Sequence, residues 1–129
     1  MKSITLYKSL SPAELAGVIN NHWQSFAPLP AEQTIFAPKI NLGHAQMLAR
    51  QLEASLYSVG YVVGFMIEAD FLQRFPCQTV AYEEQREYRI PAEELALFNQ
   101  HLIGRIHPLE AFINPASRPS SLDGCVGFH

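Results

Sequence analysis

The spacing of hydrophobic positions changes along the chain, and each change marks an element. Ser3 to Ser9 alternates, with Ile4, Leu6 and Lys8 against Thr5 and Tyr7, which predicts a first strand. Ser11-Pro12-Ala13-Glu14 is then a helix start: Ser11 caps, Pro12 occupies the first turn and Glu14 completes a capping box, with Leu10 and Leu15 as the hydrophobic staple. Leu15, Val18, Ile19 and Trp23 follow on one face, so the spacing predicts a helix near Pro12–Trp23. Pro28 and Pro30 make Ser25 to Glu32 a loop, and Gln33 to Ala37 is a short strand closed by Pro38. Asn41 caps a second helix, Leu42–Leu56, with Leu42, Ala45, Leu48, Leu52 and Leu56 as its buried stripe. Gly60 falls just before the next strand.

Tyr61 to Ala69 is apolar on both faces and rich in Tyr, Val, Phe and Ile, which predicts a buried central strand. Gly64 within it implies a close backbone approach or a bulge. Asp70 caps a single turn, Phe71 to Phe75, ended by Pro76; Gln78 to Tyr82 reads as a strand and Glu83 to Arg86 as a turn. The best-defined stretch is Glu87 to Phe112. A strand, Glu87 to Ile90, runs into Pro91, where a third helix begins and continues to Leu102 with Leu95, Phe98 and Leu102 as its stripe. Gly104 ends it and Ile106 to Phe112 resumes extended character. The expected core is Leu6, Leu15, Ile19, Leu48, Leu52, Val63, Phe65, Ile67, Leu95, Phe98 and Ile106. The pattern is that of an α+β domain over residues 1–113, followed by an irregular tail, 114–129, rich in Pro, Ser and Gly.

Composition changes this picture little. The 129 residues suffice for one domain with a real core, at 48% hydrophobic and 16% charged. A net charge of −3 with scattered Lys and Arg argues against a nucleic-acid partner. No apolar run reaches membrane-spanning length and the N-terminus lacks signal-peptide organisation, so a cytoplasmic protein is expected. Cys77 and Cys125 stand far apart in no metal or redox spacing; they read as free thiols, with a Cys77–Cys125 disulfide as the alternative.

The five histidines, His22, His44, His101, His107 and His129, include no helical metal pair, so no metal is expected. No nucleophile elbow, P-loop or dinucleotide fingerprint is present. The densest acidic region is Glu83, Glu84 and Glu87, with Glu93 and Glu94 beyond. As chemistry it needs one carboxylate at the mouth of a cleft. Glu87 is the candidate, because it begins a strand whose alternation puts it on the face of Arg89, a side chain suited to phosphate or to a neighbouring Glu.

Two stretches resemble a known family. ITLYKSLSPAELAGVI is similar to the opening of small ADP-ribosyltransferase-fold domains, found in bacterial toxin modules, where a Leu-Tyr strand with a basic residue leads into a Ser-Pro-x-Glu helix. EYRIPAEELALFNQHLIGRI is similar to the segment that closes many of them. The resemblance implies a mixed, split β-structure with about three helices around a cleft for NAD. It implies cleavage of NAD at the nicotinamide bond and transfer of ADP-ribose to a protein acceptor. Carried over by position, Lys8 beside Tyr7 would hold the pyrophosphate and Glu87 would stabilise an oxocarbenium-like ribose. The middle Ser/Thr or Tyr falls near Phe36, where none stands. The alternatives are an inactive relative working as a binding or regulatory module, and an unrelated α+β homodimer joined through apolar surface around Trp23 or Phe26.

Overall fold

The computed structural model of the chain describes residues 2–82 and 85–114. In chain order its elements are β1 (Ser3–Leu10), α1 (Pro12–Asn20), β2 (Ile35–Phe36), α2 (Leu42–Leu48), a π-helical turn (Ala49–Glu53), α3 (Ala54–Tyr57), β3 (Val59–Glu68) and α4 (Ala69–Leu72). β4 (Cys77–Thr79), β5 (Arg86–Tyr88), β6 (Ile90–Pro91), a 3₁₀ turn (Ala92–Glu94), α5 (Leu95–Gln100) and β7 (Leu102–Ile113) complete it. The chain is α+β, with antiparallel pairing throughout the described residues.

β3 is the central strand, as its two-sided apolar pattern implies, with β1 on one side and β7 on the other. Lys39 extends this sheet. Its backbone pairs with Tyr7 on one side and with Glu87 on the other, so β5 and β4 continue the order beyond β1. Beside this join, β2 pairs with β6.

The sheet has a core on each face. On one, Leu6, Val63, Phe65 and Ile106 pack against α1, α4 and α5 residues. Four phenylalanines close a ring there: Phe26–Phe36, Phe36–Phe98, Phe98–Phe65 and Phe65–Phe26, with centroids 4.8, 5.6, 6.0 and 5.0 Å apart in tilted or edge-to-face contact. Asn99 fixes Phe26 in place: the Phe26 N–H donates to Asn99 Oδ1 and Asn99 Nδ2 donates to the Phe26 carbonyl, both at 2.9 Å. On the other face a smaller cluster joins Ala45 and Ala49 of the helical arm to Val62, with Tyr7, Leu42 and Phe112 around it.

The capping box of α1 is present: Ser11 Oγ accepts from the Glu14 N–H at 3.2 Å and Glu14 Oε1 accepts from the Ser11 N–H at 2.8 Å. The helix is shorter than expected and stops at Asn20. His22 and Trp23 follow with φ of 59° and 62°, left-handed values that no helix continues through. This turn aims the Trp23 carbonyl at β7, where it accepts from the Ile106 N–H at 2.7 Å. Val18 is buried, whereas Ile19, expected in the core, is 48% exposed. Ala27 sits against Gly17 so closely that a Cβ there would lie 2.8 Å from it, which turns Leu15 and Val18 inward and leaves Ile19 on the outer flank.

The second helix forms but is not regular. α2, the π turn and α3 make one helical arm from Leu42 to Tyr57. Its buried face is His44, Ala45, Ala49, Glu53 and Ala54, and the expected stripe is displaced: Leu52 is 47% and Leu56 63% exposed. The arm comes so near β3 that a Cβ on Gly60 would stand 2.2 Å from the Ala49 carbonyl oxygen and 2.7 Å from Glu53 Cβ. The lack of a side chain at Gly60 permits that distance, and the π turn keeps every fourth residue, Ala45, Ala49 and Glu53, on the contact side, so the leucines move outward.

Pro91 does not begin a helix. With φ −56° and ψ 141° it is extended and pairs with Ile35 in the β2–β6 ladder; helical geometry starts at Ala92 as a 3₁₀ turn. The strand expected over Glu87–Ile90 is broken at Arg89, whose N–H turns to the Pro76 carbonyl. Gly104 lies inside β7 at φ 74°, near a register shift, rather than ending α5. Gly64 behaves as the sequence implies: it adjoins the same register shift, and a Cβ on it would meet Leu109 Cδ1 at 3.1 Å and the Tyr7 ring at 3.5 Å. α4 begins at Ala69 with no side-chain cap from Asp70. β4 is shorter than the expected strand over Gln78–Tyr82. The tail beyond Asn114, Cys125 with it, lies outside the described residues, as does part of the expected turn at 83–86. No helix among the described residues is long and apolar enough to cross a membrane.

Candidate functional site

Directly opposed residues of an antiparallel ladder share a face. The pairing Gly64–Tyr7–Lys39–Glu87 therefore lines up one row across the sheet, on the side covered by the helical arm. Three of the residues singled out in the sequence belong to this locus: Tyr7 in the row, Glu87 in the row, and Arg89 bonded to Glu87. Lys39 Nζ donates to Glu87 Oε1 at 2.5 Å, and Arg89 Nη1 donates to Glu87 Oε2 at 2.7 Å. Both carboxylate oxygens are occupied by cations, and the Glu87 side chain is only 10% exposed.

Lys39 is itself buried, and burial pushes its ammonium pKa down against the opposing pull of Glu87. His44, at the start of α2, lies under the same face. Burial first, then the nearby Lys39 charge, lowers its imidazole pKa, and its Nδ1 has no hydrogen-bond partner among the described residues. Both causes favour the neutral ring beside the ion pair.

Lys8 belongs elsewhere. It opposes Val63 and points to the face of Leu6 and Leu10, with Nζ 5.7 Å from the Phe36 ring centroid and donating to the Ser9 carbonyl at 3.0 Å. The structure thus groups Tyr7, Arg89 and Glu87 around Lys39 and leaves Lys8 on the other side of the sheet.

Lys8 lines a cavity of about 370 Å³ at the open edge of β1. The N-terminal turn of α1 contributes Ser11 and Glu14, the proline loop contributes Pro30 and Glu32, and the helical arm contributes Leu52, Glu53, Leu56 and Tyr57. Glu53 is the inner carboxylate, 9% exposed, and its Oε2 accepts from Ser9 Oγ at 3.3 Å. Burial, then the neighbouring Glu14, raises its carboxyl pKa, with Lys8 and Ser9 opposing. A carboxyl group tuned in this way can hold or release a proton closer to neutrality than an exposed one.

Lys39, His44 and Glu53 were not legible as site residues. Lys39 is a lone cation between Pro38 and Ile40, and Glu53 reads as a surface charge on a regular helix. The π-helical turn that carries Glu53 inward has no sequence signature of its own. No group of His, Cys, Asp and Glu among the described residues has metal-binding geometry. No family model, curated protein or solved structure matches the chain.

Proposed function

We propose that the chain is a binding module with ADP-ribosyltransferase-like sequence features, that it does not turn over NAD, and that the ligand it carries enters the cavity at the edge of β1. The observation that carries this reading is the state of Glu87. Stabilising an oxocarbenium-like ribose requires uncompensated negative charge beside the sugar. The Glu87 carboxylate is compensated on both oxygens, by Lys39 and by Arg89. Lys8, the residue suited to the pyrophosphate, approaches from the opposite face of the sheet. A ribose at Glu87 and a pyrophosphate at Lys8 would have to be held from opposite faces of the sheet. Glu87 is then a structural anion that neutralises two cations where the strands join.

The test is a nicotinamide-release assay on the full chain with NAD at millimolar concentration. No release is expected, from wild type or from Arg89→Ala, which frees one oxygen of Glu87 while keeping the buried Lys39 pair. Release by the wild-type chain, lost on Glu87→Gln in a variant that keeps its circular dichroism spectrum, would overturn the reading and restore the NAD-cleaving one with Glu87 as its catalytic residue.

A further inference from the structure

We propose that the cavity at the edge of β1 binds a small organic cation, an amine carried on a hydrocarbon or aromatic skeleton. This deepens the binding-module reading and rests on it for the place of the ligand. The first argument is an unanswered acceptor. Glu53 is nine-tenths buried, its Oε2 is bonded to Ser9 Oγ, and its Oε1 has no hydrogen-bond donor among the described residues. Oε1 is not sealed from the cavity, so a ligand N–H placed there can donate to it.

The second argument is charge. Glu14, Glu32 and Glu53 line the cavity against the single ammonium of Lys8, which is engaged with the Ser9 carbonyl. Glu14 stays fixed at the wall because its other task, closing the α1 capping box, holds its Oε1 on the Ser11 N–H. The sum favours a cation and opposes a phosphate or carboxylate ligand. An arriving ammonium also draws the raised Glu53 carboxyl back toward its ionised form, so its binding strengthens as pH rises through the Glu53 titration.

The third argument is the wall. Leu52, Leu56 and Tyr57 are about half exposed or more and stand together along the helical arm on one side of the cavity. An apolar skeleton beside the ammonium would remove them from water. The cavity volume of about 370 Å³ lies in the range of small-ligand sites.

Phenethylamine, protonated at neutral pH, is a direct probe, with 2-phenylethanol as its uncharged analogue and phenylacetate as the anion. Amide chemical shifts of the full chain would follow each titration. Saturable binding of the amine is expected, centred on Ser9, Glu53 and Tyr57, at least about tenfold tighter than the alcohol and with no binding of the acid. Glu53→Gln, which keeps shape and removes charge, should weaken the amine about tenfold and leave the alcohol unchanged. Should that variant fail to fold, Leu56→Ser on the exposed wall should weaken amine and alcohol alike by several-fold. No saturation by roughly 10 mM amine, equal affinities for amine and alcohol, or an amine affinity unmoved by Glu53→Gln would each overturn the assignment. Its failure leaves the Glu87 reading standing, and nicotinamide release would end that reading without touching the cavity result.

Discussion

Lys39 and Glu87 stand opposite each other on neighbouring extended segments, and their side chains meet at 2.5 Å on a face covered by the helical arm. The backbone ladder that joins the two parts of the sheet and the buried ion pair are therefore one feature. Removing one member of a buried pair strands the other, whereas replacing both with apolar groups removes the desolvation cost along with the attraction. Glu87→Gln should lower folding stability by about 3 kcal/mol, and the Lys39→Met, Glu87→Leu double variant should recover most of it. Urea unfolding of the three proteins checks this. A double variant no more stable than Glu87→Gln would show that the pair is not coupled.

The phenylalanine ring makes Phe98 the bridge between α5 and the sheet. It is fully buried and touches Phe36, Phe65 and Phe71. Phe98→Ala should cost on the order of 3–5 kcal/mol, with a cavity left at the centre of the ring. The midpoint of denaturant unfolding measures it, and an unchanged midpoint would contradict the packing described.

Two glycines should respond oppositely in kind. Gly60→Ala places a methyl 2.2 Å from the backbone oxygen of Ala49, which cannot swing away, so the helical arm itself must shift. Gly104→Ala meets nothing within 4 Å and pays only for its left-handed φ of 74°. The first should cost 3 kcal/mol or more, at the upper end of overpacking, and the second about 1 kcal/mol. Amide exchange across Ala45 to Tyr57 should rise in Gly60→Ala and stay unchanged in Gly104→Ala.

His44 predicts a pH response. Its imidazole pKa is lowered in the folded chain, so between that value and the unfolded value of about 6.5 the unfolded state binds more protons. Its contribution is therefore fully present above about pH 6.5 and is lost as pH falls toward the folded value. Glu53, whose pKa is raised, acts with the opposite sign: its penalty grows as pH rises from the unfolded carboxylate range through its folded value. Unfolding midpoints from pH 5 to 8 should rise less steeply with pH in His44→Leu than in wild type, and more steeply in Glu53→Gln. Parallel profiles in all three would remove both groups from the account.

Much of the fold was legible. The Ser11–Glu14 capping box is a local device, complete within four residues, and it formed as the sequence implies. Tyr61 to Ala69, the stretch read as the central strand, is apolar on both faces because β3 (Val59–Glu68) is covered on both, and Gly64 marks the place where Tyr7 and Leu109 close over the strand. Glu87 and Arg89 do meet, as the alternative of an Arg89–Glu pair expected, although the strand that was to carry both is broken at Arg89. Tyr7 and Lys8 are adjacent in sequence, and alternation alone already separates their faces; what the sequence lacked was the partner that decides which face carries Glu87.

That partner is Lys39, and its pairing on both sides is a long-range event between segments about thirty and fifty residues apart, invisible to any local pattern. The same holds for the helical arm. Its leucines describe an ordinary amphipathic helix, yet Ala49 and Glu53 are the residues that face Gly60, so the π turn carries Glu53 inward and Leu52 and Leu56 out to the cavity wall. Phe26, which the sequence offers as apolar surface, closes the phenylalanine ring instead, because Asn99 holds its backbone there. Local pattern was enough for the Ser11 and Asn41 caps and for the two-sided apolar run of β3. Tertiary packing decided which face each stretch buried, and with it which carboxylate is neutralised, Glu87, and which is left facing a cavity, Glu53.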